Sequence, residues 1–259
     1  MYRYTEQDWN ESSERVARES EGTGKFAAMV AYGASKVRAE RAMWEFMEDI
    51  QSQSQSQFQS QPLASKASNL ETQPESQSQS EKLPPAGFAC TSINPAVVTG
   101  PPVLWPQHPN QLNETLKPIW TIYSGQAKRD GALPPQIGGA GYIDVRDVAL
   151  VHVWAALNPR RAGGERYLVC NGKAPPQAVA DVVRRVYGDE KAVRERVFEG
   201  VPGKGYTADY GFPGDENEVG SAKILAELGG RRFRGFEESL VDTLEGFRGR
   251  WEGLVEKSA

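Results

Sequence analysis

Apolar residues recur with a helical period over residues 26–50, and this run is the clearest single element of the chain. The spacing predicts a helix with a broad apolar surface, formed by Phe26, Met29, Val30, Val37, Met43, Trp44, Phe46, Met47 and Ile50. A surface of that width needs cover from other elements at both ends of the helix.

The segments on either side of this helix show no such period. Residues 1–25 are polar and predict a surface loop without an opening strand. Residues 51–82 consist largely of Gln and Ser with scattered Pro, so they bury too little apolar surface to offset the entropy of ordering. They predict a disordered insertion, and a binding role for this segment stays open as an alternative.

After the insertion, short apolar runs alternate with helical patterns, which is typical of an α/β fold. Strands are predicted over residues 87–95 and 165–170, and a short strand, a capping aspartate and a helix over residues 141–157. Further helices are predicted over residues 112–124, 176–187, 221–228 and 236–254.

Composition argues against several classes of function. The chain has 259 residues and a formal charge of -4, so no general attraction to nucleic acid or to acidic lipid is expected. No stretch approaches the roughly 20 apolar residues of a membrane span, and the start lacks a signal-peptide core. We therefore expect a cytoplasmic protein. Two histidines make a histidine-based metal site improbable, and Cys90 and Cys170 are expected as buried free thiols.

Tyr32 and Lys36 stand four residues apart inside the first helix, so both side chains emerge from one face. A free tyrosine has a pKa of about 10, and a positive charge about 4 Å away favours its ionised form by about 4 kcal/mol at an effective dielectric of about 20. In bulk water the same charge contributes only about 1 kcal/mol. Proton chemistry therefore needs a covered cleft, and the alternative is two ordinary surface side chains.

Other candidate features carry weaker signals. The strand ending at Asn94 and Pro95, followed by a Gly/Pro loop, is how an α/β sheet presents a binding edge, although an ordinary turn has the same pattern. The run at residues 138–141 is similar to a phosphate loop only in its glycine content. His152 is interpreted as a packed helix side chain rather than a catalyst.

Three segments together carry a resemblance, in this order: Tyr32-Gly33-Ala34-Ser35-Lys36, Asn94-Pro95 through Gly100-Pro101, and Tyr142-Ile143-Asp144-Val145-Arg146-Asp147-Val148-Ala149. They resemble the extended short-chain dehydrogenase/reductases, the NAD-dependent epimerase/dehydratase family. Residues 4–10 and 36–46 look like its dihydroflavonol-reductase and aldehyde-reductase branch. The resemblance implies an α/β, incomplete Rossmann-like NAD(P)-binding fold, its C-terminal portion, with a small substrate-binding region.

The resemblance also implies an activity and its residues. Tyr32 would protonate a carbonyl oxygen of an aldehyde, ketone or dihydroflavonol-like substrate as hydride arrives from NADP or NAD. Lys36 would lower the pKa of Tyr32 and hold the ribose hydroxyls of the cofactor. Asn94, Pro95 and Val98 would lie near the nicotinamide.

Other segments receive supporting roles from the same resemblance. Asp144 and Arg146 would stabilise the return of the chain to the cofactor domain. Residues 101–136 and 198–217 would shape the substrate pocket. The implied domains are residues 1–50, with the loop and the catalytic helix; 51–82, the insertion; and 83–259, with the remaining Rossmann elements and the substrate-binding region.

The chain departs from the family at its start. The family opens with a strand, a glycine-rich turn and a helix that hold the pyrophosphate, and this sequence has no such segment. The chain therefore looks N-terminally truncated, with an exposed apolar patch and an open sheet edge through which it would self-associate. The alternative function is an inactive remnant or a partner-dependent fragment, and the choice between NAD and NADP stays open.

Overall fold

The computed structural model describes residues 1–20, 28–59, 88–139 and 141–256. The chain divides into two compact units. Unit 1 consists of Met1–Glu6, Ile93–Trp154 and Tyr167–Ala259, and unit 2 consists of Gln7–Ser92 and Ala155–Arg166. The division predicted from the sequence, at residues 50 and 82, stays a prediction.

Unit 2 is built on two helices, α1 (Glu11–Glu19) and α2 (Ala28–Gln59). The prediction of a loop over residues 1–25 is wrong, because α1 occupies part of that segment. The side chain of Asn10 accepts a hydrogen bond from the Ser13 amide and so caps α1, and acidic residues occupy the first turn. This N-cap signal stands in the sequence and was sufficient to predict the helix.

Helix α2 runs nine residues beyond the predicted end at Ile50. Its last residues belong to the Gln/Ser run, in which Gln is a good helix former and no Pro or Gly occurs before Pro62. The rest of the predicted disordered insertion, from residue 60 to residue 82, lies outside the described residues.

Three two-stranded sheets are present among the described residues. In unit 1, β1 (Arg3–Tyr4) pairs in parallel with β6 (Glu218–Val219), which corrects the prediction that the chain has no opening strand. Strand β2 (Ser92–Pro95) pairs with β5 (Arg166–Val169). Strand β3 (Val97–Thr99) pairs in parallel with β4 (Tyr142–Asp144), with Val98 opposite Ile143.

The other described helices are α3 (Lys117–Tyr123), α4 (Gln126–Arg129), α5 (Val145–Leu157), α6 (Pro159–Ala162), α7 (Pro176–Val186), α8 (Lys191–Arg196), α9 (Ala222–Glu227) and α10 (Phe236–Glu256). The predicted helices α5, α7, α9 and α10 are confirmed within one or two residues. The short helices α4, α6 and α8 were not predicted, because four to six residues carry too little periodicity to detect. The predicted α/β class is confirmed.

The core of unit 1 forms where α3, α7 and α10 meet. The rings of Trp120 and Trp251 lie 5.3 Å and 5.7 Å from the ring of Phe247, and Trp105 lies 5.9 Å away. Phe247 itself is fully buried. Phe247 meets Trp105 and Trp120 edge to face and Trp251 in a tilted arrangement. Such aromatic contacts add to the stabilisation from buried area.

The structure tests the predictions made for the two cysteines and for His152. Cys90 and Cys170 are free thiols, with Cys170 buried and Cys90 half-buried. His152 is exposed on α5, where its Nδ1 lies 2.8 Å from the carbonyl oxygen of Val148, so its interpretation as a packed side chain is wrong. Among the residues described, no helix is both long and apolar enough to cross a membrane.

Candidate active site

Tyr32 and Lys36 lie on one face of α2, and both are exposed. The Nζ atom of Lys36 is 5.2 Å from the centre of the Tyr32 ring, a cation over an aromatic face. Tyr32 is 58% exposed, and Lys36 makes no ion pair with any residue that the structure describes. A phenol and an ammonium without an ion-pair partner among the described residues thus lie together on the exposed face of α2.

The opposite face of α2 is fixed by α1. Ala34 and Val37 are buried there. A Cβ atom on Gly33 would lie 2.8 Å from Oγ of Ser13 and 3.0 Å from Nδ2 of Asn10, so Gly33 permits a close approach that a larger residue would obstruct. The Tyr32 side chain emerges about 100° around the helix from Gly33 and is exposed to solvent.

A charged cluster around Trp9 contacts α2 at Glu40. The guanidinium of Arg166 lies 3.9 Å from the Trp9 ring centre and donates to Glu40 on α2 at 2.7 Å. Arg166 also donates to the carbonyl oxygen of Asp8. Because the Arg166 and Glu40 side chains are largely buried, this pair positions α2 more firmly than a surface ion pair would. Its partners are more than 120 residues apart in sequence, and sequence patterns gave no sign of it.

The predicted nicotinamide-facing residues lie in unit 1. Asn94 is half-buried and Pro95 exposed at the end of β2, and Val98 is the central residue of β3. The structure therefore places the five predicted site residues in two units, Tyr32 and Lys36 in one and Asn94, Pro95 and Val98 in the other. Their shared role in one site stays a prediction.

Unit 1 contains a mainly apolar cavity of about 60 Å³. The side chains of Val97 and Thr99 line it, and since neighbouring strand residues point to opposite faces, Val98 faces away from it. The other lining side chains include Ile119, Ile122, Gln136, Tyr142, Val179 and Phe236. Of the two segments expected to shape the substrate pocket, residues 101–136 contribute to this cavity, and none of residues 198–217 is among its lining residues.

Tyr142 presents a phenol at this cavity, and its environment suits it poorly for proton transfer. Burial raises the pKa of Tyr142 to about 12, with hydrogen bonds opposing the effect in part. Nδ2 of Asn171 donates to its hydroxyl oxygen at 3.2 Å. A proton donor works best with a pKa near the operating pH, so Tyr142 is poorly placed for that role.

Asp144 and Arg146 form a buried junction in unit 1. Arg146 donates to Asp144 from its backbone amide at 2.8 Å and from its guanidinium at 2.9 Å and 2.8 Å. Burial alone would raise the pKa of Asp144, but hydrogen bonds from Arg146 and Ser239 outweigh burial and hold that pKa below its ordinary value. Arg146 also contacts Asp242 of α10 at 2.6 Å, so the junction ties β4 to α10.

The buried Asp144 carboxylate also explains why residue 100 is a glycine. Its φ of +97° is strained for other residues, and a Cβ atom there would lie 2.7 Å from Oδ2 of Asp144. The glycine after β3 is therefore required by packing against the buried carboxylate.

The chain is similar to known reductases. It is 26% identical over 216 residues to the NADPH-dependent methylglyoxal reductase Gre2 of Saccharomyces cerevisiae, an alignment that covers 82% of this chain and 49% of that protein. It is 27% identical over 241 residues to an uncharacterized oxidoreductase of the same yeast, covering 93% of this chain and 55% of the relative. The chain thus spans about half the length of these relatives. No family model matches it.

Solved structures of reductases have a fold similar to that of this chain. The yeast methylglyoxal/isovaleraldehyde reductase Gre2 complexed with NADPH matches with a TM-score of 0.62 and 23% identity, covering 96% of this chain and 58% of that structure. Gre2 from Candida albicans matches with a TM-score of 0.64 and the same identity and coverage. A reductase engineered to attenuate substrate inhibition is 26% identical, with a TM-score of 0.55 over 85% of this chain and 52% of its own.

These matches define the class of fold first: it is the Rossmann-type α/β fold of the solved Gre2 reductases. The resemblance inferred from the motifs at residues 32–36, 94–101 and 142–149 is confirmed as a similarity to reductases, among them the NADPH-dependent Gre2 of yeast.

Proposed function

We propose that this chain takes part in the NADPH-dependent reduction of a small carbonyl compound, an aldehyde, a ketone or a dihydroflavonol-like substrate, to an alcohol. The observation that carries the proposal is the exposed Tyr32 and Lys36 pair on α2, within a chain homologous to NADPH-dependent reductases. Methylglyoxal and isovaleraldehyde, for which the yeast relative is named, are the first compounds to assay.

The donor set on α2 fits the nicotinamide end of the cofactor. An ammonium without an ion-pair partner among the described residues can donate to ribose hydroxyls, which a paired lysine does less well. NADPH supplies a hydride when bound. In this proposal Lys36 binds the ribose and lies beside the phenol, and the Tyr32 hydroxyl donates its proton to the oxygen of the substrate carbonyl. Asn94 and Pro95 border the nicotinamide.

The exposure of Tyr32 sets a condition on this chemistry. A charge acts weakly on a neighbouring group through water and several-fold more strongly under a cover of low dielectric. We propose that bound cofactor and substrate provide that cover. The exposure also supports a second candidate, a partner-dependent fragment that self-associates or binds another chain before it becomes active.

The test uses the purified full chain. We expect NADPH to bind in a fluorescence titration and to be oxidised when methylglyoxal or isovaleraldehyde is added. Tyr32→Phe should lower kcat/KM at least about 100-fold, because a positioned proton donor contributes roughly 100- to 10,000-fold. Tyr2→Phe, at another exposed tyrosine, is the matched control and should leave the rate unchanged.

Lys36→Met separates binding from proton transfer. The substitution keeps the length of the side chain and removes its charge, so we expect weaker NADPH binding together with a lower rate. If the Tyr32→Phe variant binds NADPH and reduces the substrate as fast as the wild-type chain, the assignment of Tyr32 as proton donor is contradicted. A chain that binds no NADPH alone, and gains binding only on association measured by light scattering, favours the second candidate.

A further inference from the structure

An arginine-lined cavity of about 450 Å³ lies in unit 1 between α7, α8 and the loop that follows them. Arg184 and Arg185 come from the last turn of α7, and Arg194 comes from α8. Gly203 and Tyr206 form the opposite wall. A volume of this size falls within the range of about 300 to 1,000 Å³ that small-molecule sites occupy.

The acidic residue of this cavity is satisfied by neutral donors. Asp181 accepts hydrogen bonds from the amide of Gly203 at 2.8 Å, the hydroxyl of Tyr206 at 2.6 Å and Nε2 of Gln177 at 2.7 Å. None of the described ion pairs joins Asp181 to an arginine. Its carboxylate therefore fixes the far wall of the cavity and contributes one negative charge against the three arginines that line it.

The three guanidiniums differ in how far they are neutralised. Arg185 is paired with Glu237 at 2.6 Å. Arg184 approaches the mostly exposed Glu199 to 3.6 Å, and its Nη1 donates to the carbonyl oxygens of Arg194 at 3.4 Å and Val197 at 3.3 Å. Arg194 makes no ion pair among the described residues and donates to the carbonyl oxygen of Gly188 at 2.9 Å.

We propose that this cavity binds a phosphate group carried by a small molecule. Arg194 has no carboxylate partner among the described residues, and Arg184 has one only at 3.6 Å. With Arg185 beside them, these guanidiniums present more donors than one carboxylate ligand can use, whereas a phosphate offers three acceptor oxygens and about two negative charges. Guanidinium and phosphate pair through two parallel hydrogen bonds, which gives this class of ligand its geometric fit. The proposal is independent of the carbonyl chemistry assigned to Tyr32.

The probe for the test is inorganic pyrophosphate, titrated calorimetrically into the full chain at a fixed ionic strength of about 0.15 M, where unspecific attraction is largely screened. We expect saturable binding below about 1 mM. Arg194→Gln and Arg184→Gln should each weaken it about tenfold, since each removes one charge-assisted contact. Arg194→Lys, which keeps the charge but not the fork, should recover part of the loss.

Three controls show whether the change in pyrophosphate affinity is specific to this cavity. Arg160→Gln removes an exposed arginine from unit 2 and should not change the affinity. The melting temperature of each variant reports whether the fold is retained, and NADPH titration of the same variants separates this cavity from the cofactor site. Absence of saturable pyrophosphate binding to the wild-type chain overturns the proposal. Equal affinity in Arg194→Gln and the wild type also overturns it, because the ion then binds elsewhere.

Discussion

Phe247 in unit 1 and Tyr32 and Phe46 in unit 2 have opposite environments. In unit 1, Phe247 is fully buried among the rings of Trp105, Trp120 and Trp251. In unit 2, Tyr32 and Phe46 on α2 are 58% and 57% exposed. The buried cluster contributes to folding stability through area and packing, whereas the exposed side chains contribute little to it and remain available to contact a ligand. Stability and candidate chemistry are therefore carried by different parts of the chain.

The sharpest test of this contrast replaces one phenylalanine in each unit. Phe247→Ala should lower the free energy of unfolding by about 3 to 5 kcal/mol, because it leaves a cavity in a packed core. Phe46→Ala, at an exposed position, should change it by less than about 0.5 kcal/mol. Urea unfolding of the full chain, followed by tryptophan fluorescence and circular dichroism, measures both. Equal losses would contradict the assignment of stability to the aromatic cluster.

A second pair compares crowded and open glycines. Gly172 has a φ of +137°, and a Cβ atom there would lie 2.1 Å from the carbonyl oxygen of Tyr210, so Gly172→Ala should destabilise by about 2 to 3 kcal/mol. Gly164 in unit 2 has a φ of +80° with nothing within 4 Å of the added atom. Gly164→Ala should therefore cost only the backbone strain, about 1 kcal/mol. The same unfolding experiment applies, and a larger loss at Gly164 would contradict the described packing.

The Tyr210 segment explains why Gly172 matters. Tyr210 has a φ of +58°, which no other described non-glycine residue shares. Its carbonyl oxygen accepts from the amide of Lys173, and its hydroxyl donates to Glu237 at 2.6 Å. Its ring lies 4.9 Å from Phe236, a lining residue of the apolar cavity. The contacts hold a strained backbone next to a cavity wall.

The junction at Asp144 gives a pH-dependent test. The folded pKa of Asp144 is depressed, so the unfolded chain binds more protons at acidic pH, and the contribution of the ion pair is complete above the unfolded pKa of about 3.9. It is lost as the pH falls through the folded value. Asp144→Asn should lose about 1 to 3 kcal/mol at pH 7, and its stability should decline less than that of the wild type below about pH 4. Unfolding curves from pH 7 to pH 3 measure the difference, and parallel declines would contradict it.

The smallest expected effect is that of Tyr32→Phe on stability. The removed hydroxyl is on an exposed side chain, so the free energy of unfolding should change by less than about 0.5 kcal/mol while any reductase activity falls. Thermal unfolding of the variant used in the activity assay checks this. A large loss of stability would mean that the variant reports on folding and not on proton transfer.

Elements with strong local signals were predictable. The strand and helix over residues 141–157 follow from a short apolar run, an aspartate and a longer apolar run, and the structure has β4 and α5 there. Helices α7 and α10 likewise combine a clear start with a long periodic pattern. Helix α1 was also within reach, since Asn10 and the acidic residues after it form an N-terminal signal.

Strands β1 and β3 were not predictable, because their stability comes from a distant partner. β1 has two residues and pairs with β6 more than 200 residues away, and β3 has three residues between proline- and glycine-containing segments. No local pattern distinguishes such segments from loops, since each gains its hydrogen bonds only when the chain brings its partner alongside.

The sequence by itself determined the class of the protein, the α/β succession of its elements and the spacing that sets Tyr32 beside Lys36, because each depends on local order along the chain. The tertiary structure decided which side chains are exposed and which are buried. Packing against α1 leaves Tyr32 in solvent, while burial gives Tyr142 a pKa unsuited to proton transfer. It also gathered three arginines around one cavity. Burial and charge environment depend on partners far away in sequence, which local patterns do not encode.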